Sequence, residues 1–249
     1  MTPEELHNIY RAESDFWWYQ GMRAITWALL DAHLPRGLST GLDAGCGTGM
    51  NALAFESRYG LRMHGIDLAP LGVAYCRKRK FDRSAVASIL KLPFADASFD
   101  LVSSMDVLSH IAPGEDEQAL QEFRRVLRPG GWMVLRVPAF ASLRSRHSRY
   151  VAEHHRYRAG EVLRMLARQD FSVTRWTYAN CLLSPAAWLK FRVWENLTRQ
   201  EPRSGVAAAL PPWLNRLLLS ALQSEAALIR SGLRLPFGQS FMILARKPQ

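Results

Sequence analysis

Three glycines at alternate positions, Gly45, Gly47 and Gly49, follow the short apolar run from Thr40 to Ala44, and this stretch constrains the fold more than any other in the chain. Glycine has no Cβ, so such a turn can take positive φ and its backbone can come into contact with a ligand that a side chain would hold away. Asn51 to Tyr59 have the residue types of a helix, and Gly60 follows as a C-cap. The stretch reads as strand, tight turn and helix, with the first N–H groups of the helix directed into the space beside the turn.

A second apolar run from Leu61 ends in Asp67, 22 residues past Gly45. In a doubly wound sheet a carboxylate at the tip of the second strand binds ribose hydroxyls, which makes Asp67 a candidate ligand. The competing reading is that Asp67 only caps the helix starting near Ala69 and Pro70. The spacing Gly-x-Gly-x-Gly differs from the Gly-x-Gly-x-x-Gly of pyrophosphate-binding dinucleotide folds.

Leu42-Asp43-Ala44-Gly45-Cys46-Gly47-Thr48-Gly49 resembles the first motif of the class I S-adenosylmethionine-dependent methyltransferases, and Gly65-Ile66-Asp67 resembles their second. Leu92-Pro93-Phe94 through Val102, and Leu127-Arg128-Pro129-Gly130-Gly131-Trp132, resemble later motifs of the type 11 branch, which includes ubiquinone and menaquinone biosynthesis methylases. The resemblance covers about residues 38 to 180. It implies an α/β fold: a Rossmann-like, doubly wound seven-stranded sheet with an antiparallel last strand. N-terminal helices are read before the first strand, and the connection from about Asn180 to Gly238, far longer than the short turn usual in the family, reads as a helical insertion before the last. The expected layout is an N-terminal helical cap over 1–37, a cofactor-binding core over 38–180, an insertion over 181–238 and a final strand over 239–249.

The same resemblance implies S-adenosyl-L-methionine as cofactor, held along Asp43, Ala44, Gly45, Cys46, Gly47 and Gly49. Asp67 and Leu68 stand at the second motif, Ser88, Ile89 and Leu90 at the third, and Met105 at the end of the fourth strand. Where the family pattern has an aspartate accepting from the adenine amino group, this chain has Ser88, a weaker partner.

Before the first strand, residues 3–12 and 15–34 read as helices. Phe16, Trp17, Trp18 and Tyr19 are consecutive, so they cannot share one helical face. Packing accounts for some of them, and Trp17, Trp18 and Tyr19 are candidates for a lid or an apolar substrate wall. The segment from Glu13 to Arg23 resembles an N-terminal motif of part of the family, which implies that Arg23 helps hold the methionine carboxylate of the cofactor. Arg77 to Lys80 read as the solvated, dipole-complementing end of a helix.

Strands are expected over 85–90, 99–105, 132–137 and 171–178, with a last one over 240–247. Ligands of open α/β sheets bind at the C-terminal ends of the strands, which brings His110 into view as a base or loop-orienting residue. A later loop resembles a subgroup motif rich in His and Arg before a Tyr, and there His154 and His155 are candidate general bases and Tyr157 a candidate substrate contact. His147 precedes Ser148 and not an aspartate, so no carboxylate partner is expected for it.

The composition narrows the class of partner. A net charge of +10 and a pI near 10 invite nucleic acid or anionic membrane, yet no nucleic-acid module or exposed basic–aromatic face is evident, and no nucleic acid is expected. Cys46, Cys76 and Cys181 have no paired spacing, so neither a metal site nor a disulfide framework is expected, and a cytoplasmic setting fits. The polar start predicts no signal peptide, and no apolar run reaches the length of a membrane span. The insertion combines Trp188, Phe191, Trp194, Trp213 and many leucines with Lys190, Arg192, Arg216, Arg230 and Arg234. It is expected to form two or three amphipathic helices capping the C-terminal edge of the sheet. Closure over a small or lipid-like acceptor, core packing or homodimerisation, and peripheral contact at the inner membrane surface stay open. Methyl transfer to oxygen is preferred, with carbon or nitrogen acceptors, or a catalytically weak scaffold subunit, as alternatives.

Overall fold

The computed structural model describes residues 2–198, 201, 204–206 and 210–249. Part of the expected 181–238 insertion thus lies outside the described residues. Helix α1 (Pro3–Ala12) starts on Thr2, whose hydroxyl accepts from the Glu5 N–H, with Pro3 in the first turn where a missing N–H costs nothing. Helix α2 spans Trp17–Leu30, shorter than expected at both ends. Then follow β1 (Thr40–Ala44), α3 (Met50–Tyr59), β2 (Arg62–Asp67), α4 (Pro70–Lys78), β3 (Ser84–Val86), β4 (Phe99–Met105), α5 (Asp116–Val126) and β5 (Leu127–Pro138). The second half holds α6 (Arg146–Tyr150), α7 (Ala159–Arg168), β6 (Ser172–Ala179), α8 (Ser184–Leu189), α9 (Glu195–Thr198), α10 (Pro212–Arg230) and β7 (Ser240–Arg246).

The seven strands form one sheet in the order β3-β2-β1-β4-β5-β7-β6. β7 runs antiparallel to both β5 and β6, while β1 to β5 are parallel to their neighbours among themselves. The expected doubly wound sheet with an antiparallel last strand is therefore present. Strand order reverses between β1 and β4, where Leu42 lies beside Val102 and Asp43 beside Ser103. At such a switch point the loops leaving the two strands diverge to opposite faces and open a crevice. Leu42, Ile66, Leu101, Val102, Val134 and Leu135 are fully buried, as strands covered on both faces require. Each such side chain contributes about 1.5–3 kcal/mol by leaving water.

Two expectations about strands are corrected. β3 ends at Val86 and not at Leu90, because the Ser88 hydroxyl accepts from the Leu90 N–H at 3.2 Å and draws the backbone into a turn. β5 begins at Leu127 and not at Trp132: Pro129 to Gly131 lie within it, where the pairing with β4 shifts register and Gly130 donates to the Lys247 carbonyl.

The insertion is not a uniform cap. α10 runs alongside α2 in the same direction: the Asn215 side chain accepts from the Trp17 N–H at 2.9 Å at one end, and Leu222 lies over Gly21 further along. Leu222, Ala226 and Ile229 are buried there, and buried Arg175 of β6 donates to the Ile229 carbonyl. α10 thus belongs to the core layer. The segment from α8 through a π-helical turn (Lys190–Trp194) to α9 does lie at the C-terminal edge, where the Arg192 side chain donates to the Ser142 carbonyl and Glu195 accepts from the Arg146 N–H.

Candidate active site

The glycine turn leaves β1 with Gly45, Gly47 and Gly49 all at positive φ. Its first residues are bonded across to β2, the N–H groups of Gly45 and Cys46 both reaching the Ile66 carbonyl at 2.9 and 2.8 Å. The three glycines are required for different reasons. A Cβ on Gly45 would lie 2.3 Å from Val107, and one on Gly49 would lie 3.0 Å from the Cys76 sulfur. A Cβ on Gly47 would meet no protein atom within 4 Å, so the turn presents bare backbone to open space there.

Asp67 closes one side of that space. One carboxylate oxygen accepts from the Gly47 N–H at 2.8 Å and the other from the Ala69 N–H at 2.8 Å. The capping and ligand readings of Asp67 are therefore not exclusive, since each oxygen keeps a lone pair beyond the bond it makes. Leu68 beside it is 74% exposed. On the β1 side Asp43 is buried and accepts from the Ser103 hydroxyl at 2.7 Å. Burial pushes its carboxyl up to about 6, with Ser103 pulling the other way and the nearby Asp67 charge adding to the rise. Ala44 and Cys46 are buried behind the turn, the Cys46 sulfur 3.8 Å from that of Cys76. Met105 is half-buried at the tip of β4, whereas Ser88, Ile89 and Leu90 occupy the turn after β3, with Ile89 buried.

The N-terminal segment is fastened to this turn by a group that sequence reasoning missed. Glu13, 6% exposed, bonds the Thr48 hydroxyl of the glycine turn and the Arg79 guanidinium, the latter at 2.8 Å. Burial raises its carboxyl above the ordinary range despite both partners. Arg79 is thus not part of a solvated helix end: it also donates to the Tyr10 carbonyl at 2.8 Å and lies 4.4 Å from the centre of the Tyr10 ring. Arg23, half-buried, donates to the Glu13 carbonyl at 2.9 Å, and burial lowers its pKa.

A second group of polar side chains lies past the end of β4. Asp106 has φ of 61°, and one of its oxygens pairs with buried Arg136 of β5 at 2.7 Å while the other is buried without a hydrogen bond. The Arg136 guanidinium lies 5.0 Å from the centre of the Trp18 ring. Tyr19 is close enough to feel Glu13, Glu5, Arg136 and Asp106, and desolvation is the main reason its hydroxyl stays protonated far above the usual range. Trp17 and Trp18 are half-buried against the core, so packing accounts for part of the aromatic run. His110 Nδ1 is buried with no hydrogen-bond partner, and desolvation lowers the pKa of the ring.

The histidines of the later loop separate. His154 is exposed, and His155 pairs with Glu161 at 2.9 Å. Tyr157 is a core residue and not a substrate contact: it has no exposed surface, and its hydroxyl is used up by Asp116 and by the Leu108 carbonyl at 3.1 Å. His147 does have a carboxylate neighbour, Glu5 of α1 at 3.7 Å, across a separation in sequence that a local motif cannot reveal. Glu5 is 1% exposed and neither oxygen makes a well-formed hydrogen bond. Among the described residues, no three His, Cys, Asp or Glu side chains gather as metal ligands.

A family model described as "Methyltransferase domain" matches residues 42–135. An uncharacterised 37.1 kDa protein in a transposon of Streptomyces fradiae is 39% identical over 121 residues, 46% of this chain and 34% of that protein. Norajmaline N-methyltransferase of Rauvolfia serpentina is 33% identical over 104 residues, 38% of this chain and 34% of the enzyme. The chain spans about a third of the length of these curated relatives. A solved geranyl diphosphate C-methyltransferase from Streptomyces coelicolor A3(2), in complex with Mg2+, geranyl diphosphate and S-adenosyl-L-homocysteine, superposes with a TM-score of 0.60 over 92% of this chain and 80% of that one. At 18% identity that likeness speaks for the fold alone.

Proposed function

We propose that the protein, whose residues 42–135 match the methyltransferase-domain model, is a class I methyltransferase of the type 11 branch that transfers the methyl group of S-adenosylmethionine to a small or lipid-like acceptor, on oxygen by preference. The observation that carries this reading is the open space at Gly47, bordered by Asp67 at the switch point of the sheet. The residues present suit the cofactor. Bare backbone at Gly47 admits close approach, Asp67 keeps lone pairs for ribose hydroxyls, and the Asp43 carboxylate stands at the mouth of β1. Arg23, fixed by Glu13, is the cation suited to an amino-acid carboxylate. When bound, the cofactor supplies an electrophilic methyl group on a sulfonium sulfur.

The contribution of this chain is then mainly placement. Holding acceptor and methyl donor in line removes the translational cost of their encounter, which is worth about 7–11 kcal/mol in well-oriented systems. The Glu13–Thr48–Arg79 contacts fasten the end of α1 to the glycine turn, and Trp18, over which Arg136 lies, stands with Tyr19 as the candidate wall of the acceptor side. A hydroxyl acceptor must also lose a proton. Of the three candidate bases, His110 fits best: its lowered pKa keeps it neutral near pH 7, and its Nδ1 has no partner inside the protein. His154 and His155 are left as surface and ion-paired residues.

The test is His110→Gln, assayed against a panel of phenolic, quinol and lipid hydroxyl acceptors. The expected result is a fall in kcat of about 10²–10⁴-fold with cofactor binding unchanged. Wild-type kcat in the variant with a hydroxyl acceptor would refute His110 as the base, and methylation of no hydroxyl acceptor by the parent would move the preference to a carbon or nitrogen nucleophile.

A further inference from the structure

We propose that the outer face of the α8–α9 segment docks the protein onto an anionic lipid bilayer, which deepens the lipid-like acceptor reading above but is tested independently of it. Leu189, Val193 and Leu197 recur at four-residue steps and so share one side of the helical segment, with Trp194 next to them. All four are exposed, at 56, 42, 75 and 63% of full exposure respectively. The other side is committed to the protein: Arg192 reaches the Ser142 carbonyl, and the Glu195 carboxylate holds the Arg146 N–H. The apolar side therefore faces away from the loop that follows β5. A contiguous exposed patch of leucine, valine and tryptophan of this kind marks a contact surface.

The charge around the patch selects the occupant. Arg144, Arg149 and Arg192 line a cavity of about 150 Å³ together with Ser145, Phe191 and Glu195, and exposed Lys190 adjoins it on the same segment. Four cations against one carboxylate make a site for phosphate-bearing headgroups, beside apolar side chains that suit the acyl boundary. Exposed Trp213, Leu217 and Arg216 repeat the combination at the start of α10, which Asn215 ties to Asp15 and Trp17 at the same edge of the sheet. A second copy of this chain, which carries a net charge of +10, would bring cations against cations, whereas an anionic leaflet complements them. No helix among the described residues is long and apolar enough to cross a membrane, so the contact is peripheral. It places a membrane-borne acceptor beside the strand ends that carry the candidate site.

The experiment is flotation of the full chain with vesicles of phosphatidylcholine alone and of phosphatidylcholine mixed with phosphatidylglycerol, at low and high salt. Binding is expected to the mixed vesicles, to weaken with salt, and to fall by about tenfold in the variant Trp194→Ser/Leu197→Ser. Circular dichroism of that variant should match the parent, since both side chains are exposed. Equal binding to neutral vesicles, no binding to either, or wild-type binding by the variant would overturn the proposal. A self-association in lipid-free solution that the same variant abolishes would assign the face to a second copy instead. None of these outcomes bears on cofactor binding, which is measured without lipid.

Discussion

Replacing Asp43 by asparagine should make the protein more stable and at the same time impair its candidate site. In the fold this carboxyl is 1% exposed and its pKa stands near 6 in place of an ordinary 3.8. A folded-state pKa raised above the unfolded one contributes stability below the unfolded value and loses it as pH rises through the folded value. A displacement of that size amounts to about 3 kcal/mol by pH 7. Asparagine removes the ionisation and can still accept from the Ser103 hydroxyl, although exchanging a charged acceptor for a neutral one gives back about 1 kcal/mol. The net gain of about 2 kcal/mol corresponds to a rise in Tm of roughly 4–8 °C for a chain of this size. Thermal unfolding of both proteins at several pH values checks it: the advantage of Asp43→Asn over the parent is fullest near pH 7 and shrinks toward pH 4. A variant no more stable than the parent at pH 7, or an advantage independent of pH, would refute the reasoning.

Two further outcomes follow from packing and titration. Gly21→Ala should lower stability by about 1–2 kcal/mol, since the new Cβ would stand 2.3–2.5 Å from fully buried Leu222, and the gain in helix propensity offsets only part of that overlap; denaturant unfolding measures it. His147→Gln should lose less stability than the parent between pH 6.5 and 4. Burial, with the Arg156 and His110 charges, lowers the His147 pKa to about 4, so its contribution is complete above 6.5 and is lost as pH falls through that window. The side chain is 41% exposed, so water screens part of this cost, and a pH series of unfolding midpoints that runs parallel in the two proteins would contradict it.

The parts of the molecule that are legible in sequence are those whose requirements are local. Positive φ at Gly45, Gly47 and Gly49 is a backbone need that glycine meets best, and the Gly60 C-cap behaves likewise, with φ of 69° and its N–H on the Glu56 carbonyl. The third strand reads too long because the alternation over Ala85 to Leu90 hides a hydroxyl-to-backbone bond that ends it. Pairings such as Glu13 with Arg79, or Glu5 with His147, depend on how α1 crosses α4 and α6, and no spacing encodes that. The docking of α10 on α2 did leave a signal: Gly21 interrupts an otherwise strong helical pattern, and a glycine tolerated there points to a close neighbour.

The central claim is that the space beside Gly47 receives S-adenosylmethionine, and the most direct measurement is calorimetric titration of S-adenosylmethionine and S-adenosylhomocysteine into the parent protein and Gly47→Arg. Saturable binding of both ligands is expected in the parent and its loss in the variant, whose side chain would project into that open space while the fold, judged by circular dichroism, persists. Absence of binding by the parent, or undiminished affinity in the variant, would contradict it.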